Sequence, residues 1–241
     1  MYGLDAGQMS RLLRDLELTA PVVALRAAPQ IDLYLWLLSR LPSVDVRHDA
    51  AYQQRLSRFI GLRGKLRARK EELFNLLQSF KEADALAFEV MLREVSQLTG
   101  QVEKSVASSL LALIDPEQPA IDRDIREMLP RYGFIPLAEA PQFEECVAWH
   151  AALTALLRQV IEAPRWPAIS ARVEAGITPV PGAVLTELRK ANLHLSHARR
   201  VVALMPTIEP TPRLPKRPIR SAAAGVDPTN PRPLGRLHLC R

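Results

Sequence analysis

The sequence predicts an all-α fold, and three observations carry that expectation. Apolar residues recur every three or four positions along most of the chain. No segment alternates apolar and polar residues over the length of a strand, and no Asn-Gly or Asp-Gly pair marks a tight hairpin. Gly and Pro punctuate the periodic segments at short intervals, so the helices are short to medium with brief loops. That pattern points to a compact orthogonal array of about eight to ten helices rather than an up-and-down bundle.

The elements follow in order. Residues 30–41 (QIDLYLWLLSRL) read as a strongly apolar, central helix. Residues 50–80 place Leu56, Phe59, Ile60, Leu66, Leu73 and Leu77 at helical spacing, with Gly61 and Gly64 able to bend or split the run. Residues 84–99 are amphipathic, and Gly100 suits the left-handed position that closes a helix. Residues 102–114 form the next helix, stopped at Asp115-Pro116 because proline drives the residue before it out of the helical region. Asp122 or Asp124 caps a short helix ending near Tyr132-Gly133. A long helix runs from Pro141 through Glu162, a short one covers 166–175, and Pro181-Gly182 precedes the last, 183–205.

Composition sets the domain organisation. Apolar residues make up 48% of 241, enough for a real core, while only 5% are aromatic, so Leu, Ala, Val and Ile must fill it. Residues 206–241 hold eight of the 20 prolines and seven Lys/Arg against two acids. This segment is expected to be a disordered basic tail behind an all-α domain at 1–205. It accounts for nearly all of the formal +6, so the folded body is close to neutral and its basic patches must be argued locally. No run approaches the roughly 18 apolar residues of a membrane span, and the first residues lack a secretory pattern. Two cysteines, Cys146 and Cys240, make no disulfide framework and fit a cytoplasmic location. Cys146/His150 and His194/His197 have spacings that can present metal ligands, but nothing completes a set, so no metal and no cofactor is expected. The phosphate-binding Gly-rich loop, G-x-S-x-G and H-E-x-x-H patterns are absent.

Chemistry concentrates in residues 98–133. A Gly-containing turn leads to Lys104 and an apolar helix, a Pro-broken loop follows, and Asp122 opens the next helix. A lysine and a carboxylate so placed can face one another across a cleft. This arrangement resembles the helix-hairpin-helix DNA glycosylase superfamily. Leu98-Thr99-Gly100 stands for the hairpin, Lys104 for the lysine of bifunctional members, Ile121-Asp122-Arg123-Asp124-Ile125 for the aspartate motif, and Arg131-Tyr132-Gly133 for the segment after it. The chain also resembles uncharacterised bacterial proteins through Ser105–Asp122. In that register the lysine position falls on Ser109. The resemblance implies a carboxylate that stabilises charge building on the sugar or activates water, an amine that attacks C1′, and a base drawn out of the stack. Asp122 and Lys104 would take those parts, with Gly100 at the phosphate-gripping hairpin. Val102 departs from the pattern's second glycine, and Glu103 adds a negative charge where a phosphate would sit.

Arg55, Arg58, Arg63, Lys65, Arg67, Arg69 and Lys70 crowd one stretch, followed by Glu71 and Glu72. Several must point outward together, which suits phosphate contacts, or equally a solvated face paired with those glutamates. Arg189 and Lys190 belong to a second cationic set on the last helix, with His194, His197, Arg199 and Arg200. The sequence therefore suggests a DNA-binding protein resembling a base-excision glycosylase. The alternative is a non-catalytic helical adaptor for nucleic acid or protein. A third reading is a structural protein whose proline-rich tail docks to a partner.

Overall fold

The structure is a computed structural model that describes residues 3–83 and 86–203. The tail 206–241, with Cys240, lies outside the described residues. Every regular element among those residues is helical: ten α-helices and one 3-10 turn.

Helix α1 (Ala6–Arg40) is 35 residues long and far exceeds the expected 30–41. A reciprocal cap starts it: Asp5 accepts the Gln8 amide at 2.8 Å, and the Gln8 side chain accepts the Asp5 amide at 2.8 Å. Leu12, Leu16, Ala20, Val23, Ala27, Ile31, Tyr34 and Leu37 form its buried stripe. Pro21 and Pro29 sit inside the helix. Each removes one amide and so frees a carbonyl four residues earlier. For Pro21 that carbonyl is Glu17, which accepts from Arg172 Nη1 in a long 3.5 Å bond. For Pro29 it is the carbonyl of Leu25, a residue 78% exposed, where water can serve.

The glycines at 61 and 64 do split the 50–80 run. Both take positive φ, +63° and +50°, and separate α2 (Ala50–Phe59) from α3 (Gly64–Ala68). Arg69 (φ −108°, ψ 27°) then breaks α3 from α4 (Lys70–Phe80). Helix α5 (Phe88–Thr99) ends, as its sequence requires, at a left-handed Gly100 with φ +70°. Helix α6 (Lys104–Ile114) and helix α7 (Arg123–Met128) follow, α7 running into the 3-10 turn Leu129–Tyr132. Helices α8 (Phe143–Glu162), α9 (Trp166–Glu174) and α10 (Glu187–Val202) complete the body.

Helix α10 is central. It packs along α1 and also contacts α7, α8 and α9, and from Leu188 to Ser196 every residue is buried. Thr19 Oγ1 of α1 meets His194 Nε2 of α10 at 3.1 Å, and the Tyr34 hydroxyl donates to the Ala112 carbonyl of α6 at 2.8 Å. Around these links lies a core of Leu, Ile, Val and Ala, with Trp149 edge-on to Phe134 and donating to the Ile135 carbonyl. No helix among the described residues is long and apolar enough to cross a membrane.

Candidate active site

Asp122 stands at the point where α6, α7 and α10 converge. Local sequence puts it there: Asp115-Pro116 ends α6, and the chain crosses back to start α7 with Asp122 as cap, its Oδ1 accepting the Ile125 amide at 2.7 Å. Tertiary bonds then fix the crossing. Ser108 Oγ of α6 accepts the Ile121 amide at 2.8 Å. Asn192 of α10 grips Ala120 twice, accepting its amide and donating to its carbonyl, both at 3.1 Å. Asp122 thus follows two residues whose backbone is held from both sides.

Beside it lies a cavity of about 200 Å³, lined among others by Phe59, Ser105, Ser109, Asp122, Arg189 and Ser196. Burial pushes the Asp122 carboxyl above the usual carboxylate range, against the Ser196 hydroxyl, the Ile125 amide and the charge of Arg189, which favour the ionised form. A carboxylate has about four acceptor sites, so the cap leaves capacity for a ligand or water.

Arg189 forms part of the lining. It is 2% exposed. Its guanidinium lies 4.6 Å from the Tyr34 ring centroid, Nη1 donates to Asn192 Oδ1, and Nε is buried without a partner. Burial lowers its pKa. This corrects the expectation of a surface cation awaiting phosphate. Lys190 is likewise buried and paired with Glu174 and Glu187, outside the cavity. Arg199 and Arg200 pair with Asp124 of α7, so the second cationic set is largely internal.

Lys104 does not line this cavity. It is buried, and its Nζ donates to the Glu139 carbonyl at 2.7 Å. Burial and the nearby Arg126 charge lower its pKa. The reason is helical phase. Positions 105 and 109 lie one turn apart and face Asp122, whereas 104 falls with 108, about 100° away. The residue facing the carboxylate is Ser109, where the second resemblance placed its lysine position.

The basic stretch is divided. Arg63 and Lys65 line an open groove of about 530 Å³ with Gln101 and Glu103, and this groove shares Ile60, Gly61 and Ser105 with the Asp122 cavity. Lys65 Nζ donates to the Thr99 carbonyl at 3.1 Å, clamping the turn. Arg58 and Arg67 are exposed. Arg69 pairs with Glu72 at 2.6 Å, and Lys70 lines a separate hollow with Arg47 and His48. The hairpin is closed on itself: the amides of Gly100, Gln101 and Glu103 bond to the Ser96 carbonyl, Thr99 Oγ1 and Ser96 Oγ. Gly100 therefore serves as a helix terminator, and those three amides are not free to hold phosphate.

Cys146 and His150 are core residues. His150 stacks on Phe88 at 4.0 Å and bonds to the Pro119 carbonyl. Sequence reasoning missed Phe59, Ser105, Asn192 and Ser196 as site residues. One signal was present, since Arg189, Asn192 and Ser196 fall at helical spacing on one face of α10.

In comparisons with known proteins, no family model, no curated protein and no solved structure matches the chain.

Proposed function

We propose that the protein binds DNA and holds a base, extruded from the helix, in the Asp122 cavity, where it hydrolyses the N-glycosidic bond. The observation that carries this reading is the fixed, half-buried Asp122 in a ring-sized cavity that adjoins a groove lined by Arg63 and Lys65. Those cations would meet phosphate on the strand from which the base is drawn. In the step itself, a water oxygen forms a bond to C1′ as the C1′–N bond breaks. The base leaves with that electron pair, and Asp122 takes the proton lost by the water. The ionised carboxylate also favours positive charge on the sugar. With serine at 109 and Lys104 turned away, the reading requires water rather than an amine as nucleophile, and no lysine adduct forms.

The test is a screen of the purified protein against duplexes carrying single damaged or modified bases. Asp122→Asn abolishes base release and leaves duplex retention intact. Equal release by the variant removes the mechanism. Arg63→Glu with Lys65→Glu and Arg67→Glu, made in a chain truncated after residue 205, abolishes retention on duplex DNA. Unchanged retention removes the DNA reading.

A second reading, a non-catalytic adaptor, is favoured by two observations. Asp122 already caps α7, and three hairpin amides are engaged internally. It predicts retention on DNA with no base release from any duplex.

A further inference from the structure

The cavity beside Asp122 also carries information about what fits it, and this inference rests on reading it as a base pocket. Three features bear on the occupant. The first is size. At about 200 Å³ it exceeds the roughly 150 Å³ that accepts a benzene ring and falls short of the roughly 300 Å³ at which pockets for larger ligands begin. The volume suits a single ring. The second is the wall. Phe59, Ile60, Ile121 and Leu193 offer aromatic and aliphatic surface to a flat, apolar-faced ligand.

The third is Arg189. A guanidinium has only donors. This one is buried, has its Nε unsatisfied, and among the described residues forms no ion pair. A buried charged group with one donor unsatisfied is expensive, and an acceptor on a ligand in the adjoining cavity would offset that cost. Asn192 Oδ1 already accepts from Arg189 Nη1 and from the Ala120 amide, which leaves it no lone pair for Nε. A small ionised ligand would place its charge in the same cavity as the Asp122 carboxyl. A neutral ring with a carbonyl oxygen satisfies the guanidinium without that repulsion.

We infer that the cavity takes a single-ring heterocycle bearing an exocyclic oxygen, the oxo-pyrimidine class, with that oxygen accepting from Arg189 and the ring against Phe59. Arg189 is then the residue that selects the ligand, distinct from Asp122.

The experiment uses the full chain and free uracil, followed by saturation-transfer NMR. Hypoxanthine (fused rings with an oxo group), unsubstituted pyrimidine (one ring, no exocyclic oxygen) and inorganic phosphate serve as further probes. Uracil gives a saturable signal and the other three do not compete with it. Arg189→Met weakens uracil at least about tenfold, the loss of one hydrogen bond from a charged donor, while the far-UV circular dichroism spectrum stays that of the folded protein. Should that variant fail to fold, Ser109→Leu fills the cavity and abolishes the same signal. The inference is overturned if uracil does not bind, if any of the other probes competes equally, or if uracil binding survives both substitutions. Uracil binding without base release from any duplex leaves the inference standing and removes glycosidic cleavage. Release of a purine base would instead overturn the inference and leave the cleavage reading in place.

Discussion

Acidification from pH 7 to pH 5 should destabilise this fold by an amount set largely by two buried histidines. His194 lies between α1 and α10, and its Nε2 meets Thr19 Oγ1 at 3.1 Å. The Thr19 hydroxyl donates its one proton to the backbone carbonyls of Asp15 and Leu16. Nε2 must therefore be the donor, and the ring is the neutral tautomer with a bare Nδ1 that has no partner. A second proton at Nδ1 would be buried and unsatisfied. Burial accordingly pulls His194 down to about 4, and His150, stacked on Phe88, also down to about 4. Both values lie below that of the unfolded chain, so the unfolded state binds protons first. Stability is full above pH 6.5 and is lost as the pH falls from there toward 4. Integrating each titration gives about 2 kcal/mol per histidine between pH 7 and pH 5, about 4 kcal/mol in all, a large share of a typical domain's stability. His197, also lowered, adds in the same direction. Glu72, Glu127 and Glu187 are held below their usual values and matter only at lower pH. Asp122 acts in the opposite sense: its pKa is raised, so its penalty is present at neutral pH and relieved on acidification. Urea midpoints followed by far-UV circular dichroism at pH 7, 6 and 5, in an Asp122→Asn background, isolate the histidines. His194→Gln, whose amide can still donate to Thr19, should remove about half of the loss. A pH-independent midpoint, or an unchanged slope in that variant, would refute the tautomer argument. Helix α10 carries Arg189, Asn192 and Ser196, so the same acidification should loosen the cavity.

Two further outcomes are expected. Ser109→Lys places an amine in the cavity at the position that faces Asp122, and borohydride should then trap a covalent adduct with DNA that the wild-type protein does not form. Absence of an adduct in a folded variant that still retains DNA would argue against a sugar being held there. Asn192→Ala leaves the Ala120 amide and carbonyl without partners, and the chemical-denaturation midpoint should report a loss of about 2 kcal/mol, with a larger proportional loss of base release because Asp122 follows Ala120 by two residues.

What the sequence made legible was local. Gly100 and Asp122 are end signals whose meaning depends on a few neighbours, and both do what such residues do. Gly61 and Gly64 likewise split their helix where expected. Helix α1 was only partly legible, because Pro21 and Pro29 read as breaks, and their tolerance depends on Arg172, more than 140 positions away, and on solvent. The site was half legible for a related reason. The carboxylate could be found from its motif, but its surroundings come from α2, α6 and α10, which only packing brings together. Whether residue 104 or 109 faces Asp122 is a matter of helical phase, which depends on where α6 begins and which side it buries. Arg189 and Lys190 look like exposed cations in a basic-looking helix, and nothing local reveals that α10 is buried from Leu188 to Ser196.

The side chain of Asn192 touches Ala120 with both its oxygen and its nitrogen, and touches Arg189 with the oxygen. One small amide therefore joins the group that would sense an occupant to the strip of backbone that aims the carboxylate. On the proposed reading, an ill-fitting ring that drew the guanidinium aside would also tilt the acid away from its target. Selection by such a linkage would then act on the rate of reaction as well as on how tightly a wrong ring is held.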